Sequence, residues 1–331
     1  MTAARFHLPP ARERAFSLLE LMVAVGIMTV IVAALYTVFS ATQRALRANV
    51  SQTDVTEGGR FAMALLAEDL RRLTAAGASR ETNLLYALSP AINAPLLSEL
   101  KAAELTERYY TNRPPPDFTG YQPVVQALDV GNARRTNVLQ EVFIHSRTGV
   151  RAAGVAYRVV NARSGVGTLA RYHFEHTNRF VTPGLLSAAC LLQPAANFSP
   201  ILDGVIHFRV QAYDPLGFPM SWTNGNWYVN AATNTYASHG YQLGWDLVLE
   251  QDPRRSSETF TVFRSNALPA AIELELGILE PDALARFRAL PAGSDFAARF
   301  LSNRASQVQL FRQRIPIWQA PPLSTASSAR P

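Results

Sequence analysis

The chain has 331 residues, 48% of them hydrophobic, and 31 basic against 25 acidic side chains give it a formal charge of +6. Lys101 is the only lysine and Cys190 the only cysteine, which excludes an intrachain disulfide. The arginines are scattered, with nothing longer than the doublets Arg71-Arg72, Arg134-Arg135 and Arg254-Arg255. A nucleic-acid interface needs clustered basic residues, so nucleic acid is not an expected partner.

Arg5, Arg12 and Arg14 precede a run, Leu21 to Gln43, that carries no charge; Arg44 and Arg47 follow it. As a helix rising about 1.5 Å per residue, the run crosses roughly 30 Å of hydrocarbon. A secretory signal peptide would have an apolar region of about 7–15 residues and then a small-residue cleavage site. This run is longer and leads into polar helix. Glu20 sits at its apolar edge, where a carboxylate is costly and calls for a partner.

Arg14-Ala15-Phe16-Ser17-Leu18-Leu19-Glu20-Leu21-Met22-Val23 resembles the class III signal of type IV prepilins and type II secretion pseudopilins. In that family a basic leader precedes a small residue, usually Gly, then Phe, three residues, and Glu at the fifth mature position. Ala15 stands here where the family prefers Gly. The resemblance implies that a prepilin peptidase cuts between Ala15 and Phe16 and that the new Phe16 amine is N-methylated. It also gives Glu20 its partner, the N-terminal amine of a neighbouring subunit in a filament.

No proline occurs from Ala41 to Leu73, and Phe61, Leu65, Leu66, Leu70 and Leu73 recur at helical steps, which predicts a helix continuing past the membrane with this stripe against a sheet. Gly58-Gly59 either divides that helix or weakens it. Phe61 to Arg71 also resembles the pilin helix of J-type minor pseudopilins, in which an Asp-Leu-Arg step is frequent.

Residues 74–136 read as an insertion, with a helix from Ala94 to Tyr110 and an extended or turning segment at Arg113-Pro114-Pro115-Pro116-Asp117. Beyond it, strands are expected at Val138 to Ile144, Val155 to Val160, Leu169 to Phe174, Gly204 to Tyr213, Ala271 to Leu276 and Val308 to Ile317. Asp214-Pro215-Leu216-Gly217 reads as a turn. Asn224-Gly225 favours a hairpin that would pair Trp222 with Trp227, a pair read as core. Cys190, among Leu185 to Leu192, reads as a buried small residue.

Several of these landmarks resemble J-type pseudopilins in their order: Gly154 to Val159, Leu169 to Arg171, Val205 to Gly217, Leu268 to Leu274 and Phe311 to Ile317. The longer stretch from Thr223 to Thr259 and the insertion are also similar to prepilin-signal cassette proteins of Verrucomicrobia.

Catalytic and metal signals are poor. Gly165-Val166-Gly167-Thr168-Leu169-Ala170 fits a dinucleotide fingerprint formally, but a strand pattern follows where a helix is required, so it reads as a hairpin turn. His173 and His176 fall on opposite faces of a strand, and no Cys or HExxH motif accompanies them. Glu273 and Glu275 share a face that reads as solvated. No catalytic residue, cofactor or metal is expected.

The expected fold is α+β and pilin-like, a long N-terminal α-helix with a transmembrane first half, packed on antiparallel β-sheet. Its parts are a leader (1–15), a transmembrane and assembly helix (16–43), its periplasmic continuation (44–73), the insertion (74–136), a β-rich head (137–318) and a disordered tail (319–331). The resemblance implies a minor pseudopilin of a type II secretion-like pseudopilus, held in the bacterial inner membrane. Its partners would be the prepilin peptidase, other major and minor pseudopilins, and a secreted cargo. The alternatives are a minor type IV pilin for adhesion, motility or DNA uptake, and a single-pass anchored periplasmic enzyme or binding protein.

Overall fold

The computed structural model describes residues 17–76, 82–88, 124–128, 133–148, 151–163, 165–176, 185–191, 193–220, 228–230, 235–238, 241–244, 247–251, 258–291 and 294–318. The leader, Ala94 to Tyr110, Arg113 to Asp117, the Trp222/Trp227 hairpin and the tail after Trp318 lie outside these residues. The chain forms two compact units, Met1–Gln52 and Thr53–Pro331.

Helix α1 runs from Leu18 to Arg71, 54 residues, passing through Gly58-Gly59 without a break. In the first unit its apolar side chains, among them Leu21, Val25, Met28, Ile31, Leu35 and Phe39, are exposed. One described helix is therefore long and apolar enough to cross a membrane. Its hydroxyls bond back to the helix: Thr29 to the Val25 carbonyl at 2.6 Å and Thr42 to that of Val38 at 2.9 Å. That pairing suits a helix in a medium without water.

The second unit is built on a nine-stranded antiparallel sheet. Its strands in chain order are β1 (Thr82–Leu88), β4 (Gln140–Thr148), β5 (Arg151–Arg163), β6 (Val166–His176), β7 (Ser199–Tyr213), β11 (Leu247–Gln251), β12 (Glu258–Arg264), β13 (Ala271–Leu279) and β14 (Val308–Pro316). Across the sheet the order is β11-β12-β1-β4-β5-β6-β7-β13-β14. A two-stranded sheet pairs β2 (Val124–Ala127) with β3 (Arg134–Asn137), and a three-stranded one joins β8 (Tyr228–Asn230), β9 (Thr235–Ser238) and β10 (Tyr241–Gly244). Every strand predicted from alternation is present, most of them longer than expected. Thr82–Leu88 lies inside the range read as an insertion, yet β1 pairs with β4 and β12 in the main sheet.

Strand periodicity sorts the sheet into two covered faces. Leu84, Tyr86, Val142, Ile144, Val155, Tyr157, Ile272, Leu274 and Leu276 point to one face and form the main core with α1. Leu85, Phe143, Ala156 and Val262 point to the other, beneath α2 (Leu185–Leu191). Cys190 of α2 is buried there, as expected. Arg158 fixes the end of α2, donating to the carbonyls of Leu191 and Gln193 while pairing with Glu141 at 3.3 Å and lying over the Phe198 ring. Two further helices, α3 (Pro281–Arg288) and α4 (Asp295–Ser302), enclose a smaller apolar cluster around Ile206, Leu279, Phe287 and Leu301.

From Thr53 onward α1 crosses the sheet. Thr56 bonds Gln309 of β14, and a Cβ added at Gly59 would overlap Phe311 of β14 and lie 2.9 Å from Ile278 of β13. Asp69 reaches Arg171 of β6 and Tyr157 of β5, and Leu73 bridges Ser146 of β4. Gly59 thus marks close approach of helix and sheet, not a helix end. Val55, Ala62, Met63, Leu66, Ala67, Leu70 and Leu73 are buried, but Phe61 is 62% exposed and Leu65 is only partly covered. The expected stripe was too wide: at 3.6 residues per turn, Phe61 lies about 140° around the helix from Leu66.

Candidate functional site

The N-terminal element begins with a cap. Ser17 Oγ accepts the Glu20 backbone N–H at 3.2 Å, and the Ser17 carbonyl accepts the Leu21 N–H at 3.2 Å. Ser17-Leu18-Leu19-Glu20 therefore has the spacing of a capping box, with Glu20 at the third helical position. A carboxylate in the first turn also complements the partial positive charge of the helix N-terminus. Glu20 is exposed, as are the apolar side chains that follow it. It is thus an ionisable group at the head of a long apolar surface. Ala15 and Phe16 lie outside the described residues.

The head contains two polar assemblies that sequence reasoning missed. In the first, Arg171 Nε and Nη2 donate to Asp69 Oδ2 and Oδ1 at 2.9 and 3.2 Å, and the Tyr157 hydroxyl donates to Oδ2. Burial first, then the charge and hydrogen bond of Asp69, push the Tyr157 hydroxyl well above its usual range. Burial works against the charge of Arg171, but the hydrogen bond and charge of Asp69 more than offset it and raise the Arg171 pKa. A signal was present: Asp69 falls on the buried arc of α1, where a lone carboxylate requires a partner.

The second assembly lies on the sheet face away from α1. Glu273 and Glu275 of β13 stand between Gln211 and Arg209 of β7 and Arg314 and Arg312 of β14. Arg312 contacts Glu273 at 2.6 Å and Glu275 at 3.3 Å, and Arg314 stacks over Tyr213 with its guanidinium carbon 3.6 Å from the ring centre. Val138 N–H donates to His207 Nδ1 at 3.1 Å, which leaves Nε2 to carry the proton toward Glu275 Oε2 at 3.3 Å. That hydrogen bond, with the nearby Arg209 and Arg312 charges, lowers the Glu275 pKa against the opposing effect of burial. Glu273 is buried and Glu275 half-buried, so the face read as solvated is an ion-paired ladder. Alternation gives the face of each carboxylate but not the arginines on the neighbouring strands.

The other candidates fall where their patterns placed them. Gly165 adopts φ +90° in the turn joining β5 to β6, and strand, not helix, follows it. His173 lies 3.6 Å from Glu175 while His176 stacks on Phe174. Among the described residues no group of three or more His, Cys, Asp and Glu could hold a metal ion.

A long N-terminal apolar helix followed by antiparallel sheet is the α+β architecture of pilin-like proteins. Residues 10–36 match the family model for the prokaryotic N-terminal methylation motif, which supports a type IV prepilin-like protein. No curated protein and no solved structure matches the chain. The motif implies processing by a prepilin peptidase and assembly with other pilin-like subunits, and the apolar helix is consistent with membrane anchoring.

Proposed function

We propose that the chain is a minor pseudopilin of a type II secretion-like pseudopilus, cut between Ala15 and Phe16, N-methylated at Phe16 and anchored in the inner membrane with its head in the periplasm. The observation that carries this reading is Glu20 itself, an exposed carboxylate in the first turn of α1, at the head of the uncharged run Leu21 to Gln43 whose large apolar side chains are exposed, and inside the matched motif. In a low-dielectric medium that group is stabilised by an amine brought by a neighbouring subunit. Pairing of this kind makes assembly the condition for relieving the desolvation cost. Type IV pilin-like proteins are a structural class, so the work assigned to this chain is associative: α1 enters the filament and the head meets other minor subunits or cargo.

The head is larger than a repeating shaft subunit would need, which favours a place near the filament tip. Mass spectrometry of the membrane-derived N-terminus tests the processing step. A mature terminus at methylated Phe16 is expected, and an intact leader in cells with active prepilin peptidase would overturn it. Crosslinking to minor or major pseudopilins in those cells separates a tip position from the shaft.

A further inference from the structure

We infer that the free edge of β14 is a strand-addition site for an extended acidic segment of another protein. The inference stands on the head alone and holds whether or not the chain enters a filament. β14 ends the sheet order, and its ladder with β13 is regular from Ala271↔Pro316 to Leu279↔Val308. The Ile317 N–H bonds the Ala270 carbonyl and the Gln307 carbonyl accepts from Glu280, so odd-numbered residues turn their backbone toward β13. By alternation, the N–H and C=O groups of Val308, Leu310, Arg312 and Arg314 point outward. The Val308 N–H turns back to the Ala305 carbonyl; among the described residues the outward groups of Leu310, Arg312 and Arg314 have no partner. An unpaired edge is a template for another strand.

The surroundings of the edge specify the strand. On the α1 side a groove of about 320 Å³ runs between helix and edge, lined by Arg60, Met63, Ala64, Arg71 and Phe311 among others, with the two α1 arginines supplying its charge and no carboxylate in its lining. Arg60 is exposed and makes no ion pair with any described residue. On the opposite face Arg312 and Arg314 stand half-exposed beside Leu310. Side chains of an added strand alternate, so both of its faces would meet arginine. A second copy of β14 would set arginines against arginines, which is destabilising across a strand pair. Acidic side chains on an extended segment complement both faces, while its backbone completes the ladder.

The test uses the full chain in detergent micelles and a fluorescein-labelled octapeptide of alternating valine and glutamate, read by fluorescence anisotropy. Binding at least tenfold tighter than that of the valine–lysine octapeptide is expected, with loss of binding when alternate amides of the acidic peptide are N-methylated. Leu310→Pro removes an outward N–H without touching the β13 ladder and should weaken binding at least tenfold. Arg60→Glu, on the exposed side of α1, should do the same and keeps the test valid if the proline variant does not fold. Equal binding of both peptides, no saturable binding, or unchanged affinity in folded Leu310→Pro or in Arg60→Glu would overturn the inference. Self-association abolished by Leu310→Pro would overturn it too, by making a second copy the occupant.

Discussion

Asp69 on the buried side of α1 is held at both carboxylate oxygens by Arg171, two strands in from β13 on the sheet. The Tyr157 hydroxyl from the adjacent strand completes the site, so one helix residue ties α1 to β5 and β6 together. Apolar contacts alone would allow α1 to slide along the sheet. A bidentate pair fixes one register, because a guanidinium fork matches a carboxylate in one geometry.

Asp69→Asn should therefore be severely destabilising although it is nearly isosteric. The change leaves the Arg171 charge without its counter-charge in a largely covered site, a loss of about 3 kcal/mol. Urea unfolding followed by circular dichroism measures it. A loss below about 1 kcal/mol would show that apolar packing alone sets the position of the helix.

Gly59 tests the closeness of the same helix about three turns before Asp69. A methyl there overlaps Phe311, so Gly59→Ala should cost about 1–3 kcal/mol even though alanine favours helix by about 1 kcal/mol over glycine. Combining it with Phe311→Leu should recover part of that loss. Gly26, with nothing within 4 Å of an added Cβ, should tolerate alanine with no steric penalty within the subunit. Equal unfolding midpoints for wild type and Gly59→Ala would remove the close-packing argument.

Burial pushes the Cys190 thiol up to about 12, and its sulfur faces Gly154 and Phe143 in the core beneath α2. The thiolate is the reactive form. The folded protein at pH 8 should resist maleimide for hours and react within minutes once denatured. Labelling at equal rates in both states would show that α2 opens readily.

Much of this architecture is legible from period alone. The twofold alternation of Val155 to Val160 and Ala271 to Leu276 gives strands, and the charge-free run after Glu20 gives the long apolar helix. Other elements fail for physical reasons. Thr82–Leu88 is apolar on both faces in its middle, so it shows no alternation that would set it apart from the segments around it. The helices α3 and α4 are only eight residues each, too short for a period to establish itself, though Pro281 at the first turn, Arg286 and Arg288 in the last, and the Ser294 cap mark their ends. At the N-terminus both the position of Glu20 and the three-residue spacing from Ser17 that marks a cap are written in the sequence. The arginine partners of Asp69, Glu273 and Glu275 come from strands far away in sequence, and no single segment encodes such pairings.

Glu275 makes stability depend on pH. Its folded pKa lies below the unfolded value of about 4.3, so its contribution is complete above that value, fades as pH falls through the folded pKa, and is absent below it. Glu275→Gln should lose about 1–2 kcal/mol at pH 7, the worth of hydrogen bonds to a charged acceptor. The gap between mutant and wild type should close as pH drops toward 3. A gap independent of pH would assign the effect to packing instead of charge.

Glu20 has two possible duties, and one substitution separates them. Glutamine serves the third position of a capping box as well as glutamate does, whereas it offers no charge to a neighbour's N-terminal amine. Alanine removes both functions. If Glu20 mainly caps α1, Glu20→Gln should enter filaments like wild type and only Glu20→Ala should fail. If the carboxylate is needed to neutralise an amine in a low-dielectric filament core, both variants should be cleaved and membrane-inserted, and both should be excluded from filaments or from crosslinks to other pilin-like subunits. The charge reading predicts the second pattern, because an uncharged amide leaves the incoming amine desolvated without a counter-charge. Quantifying crosslinked subunits in cells expressing each variant at equal levels decides between them, and wild-type incorporation of Glu20→Gln would reduce Glu20 to a helix cap.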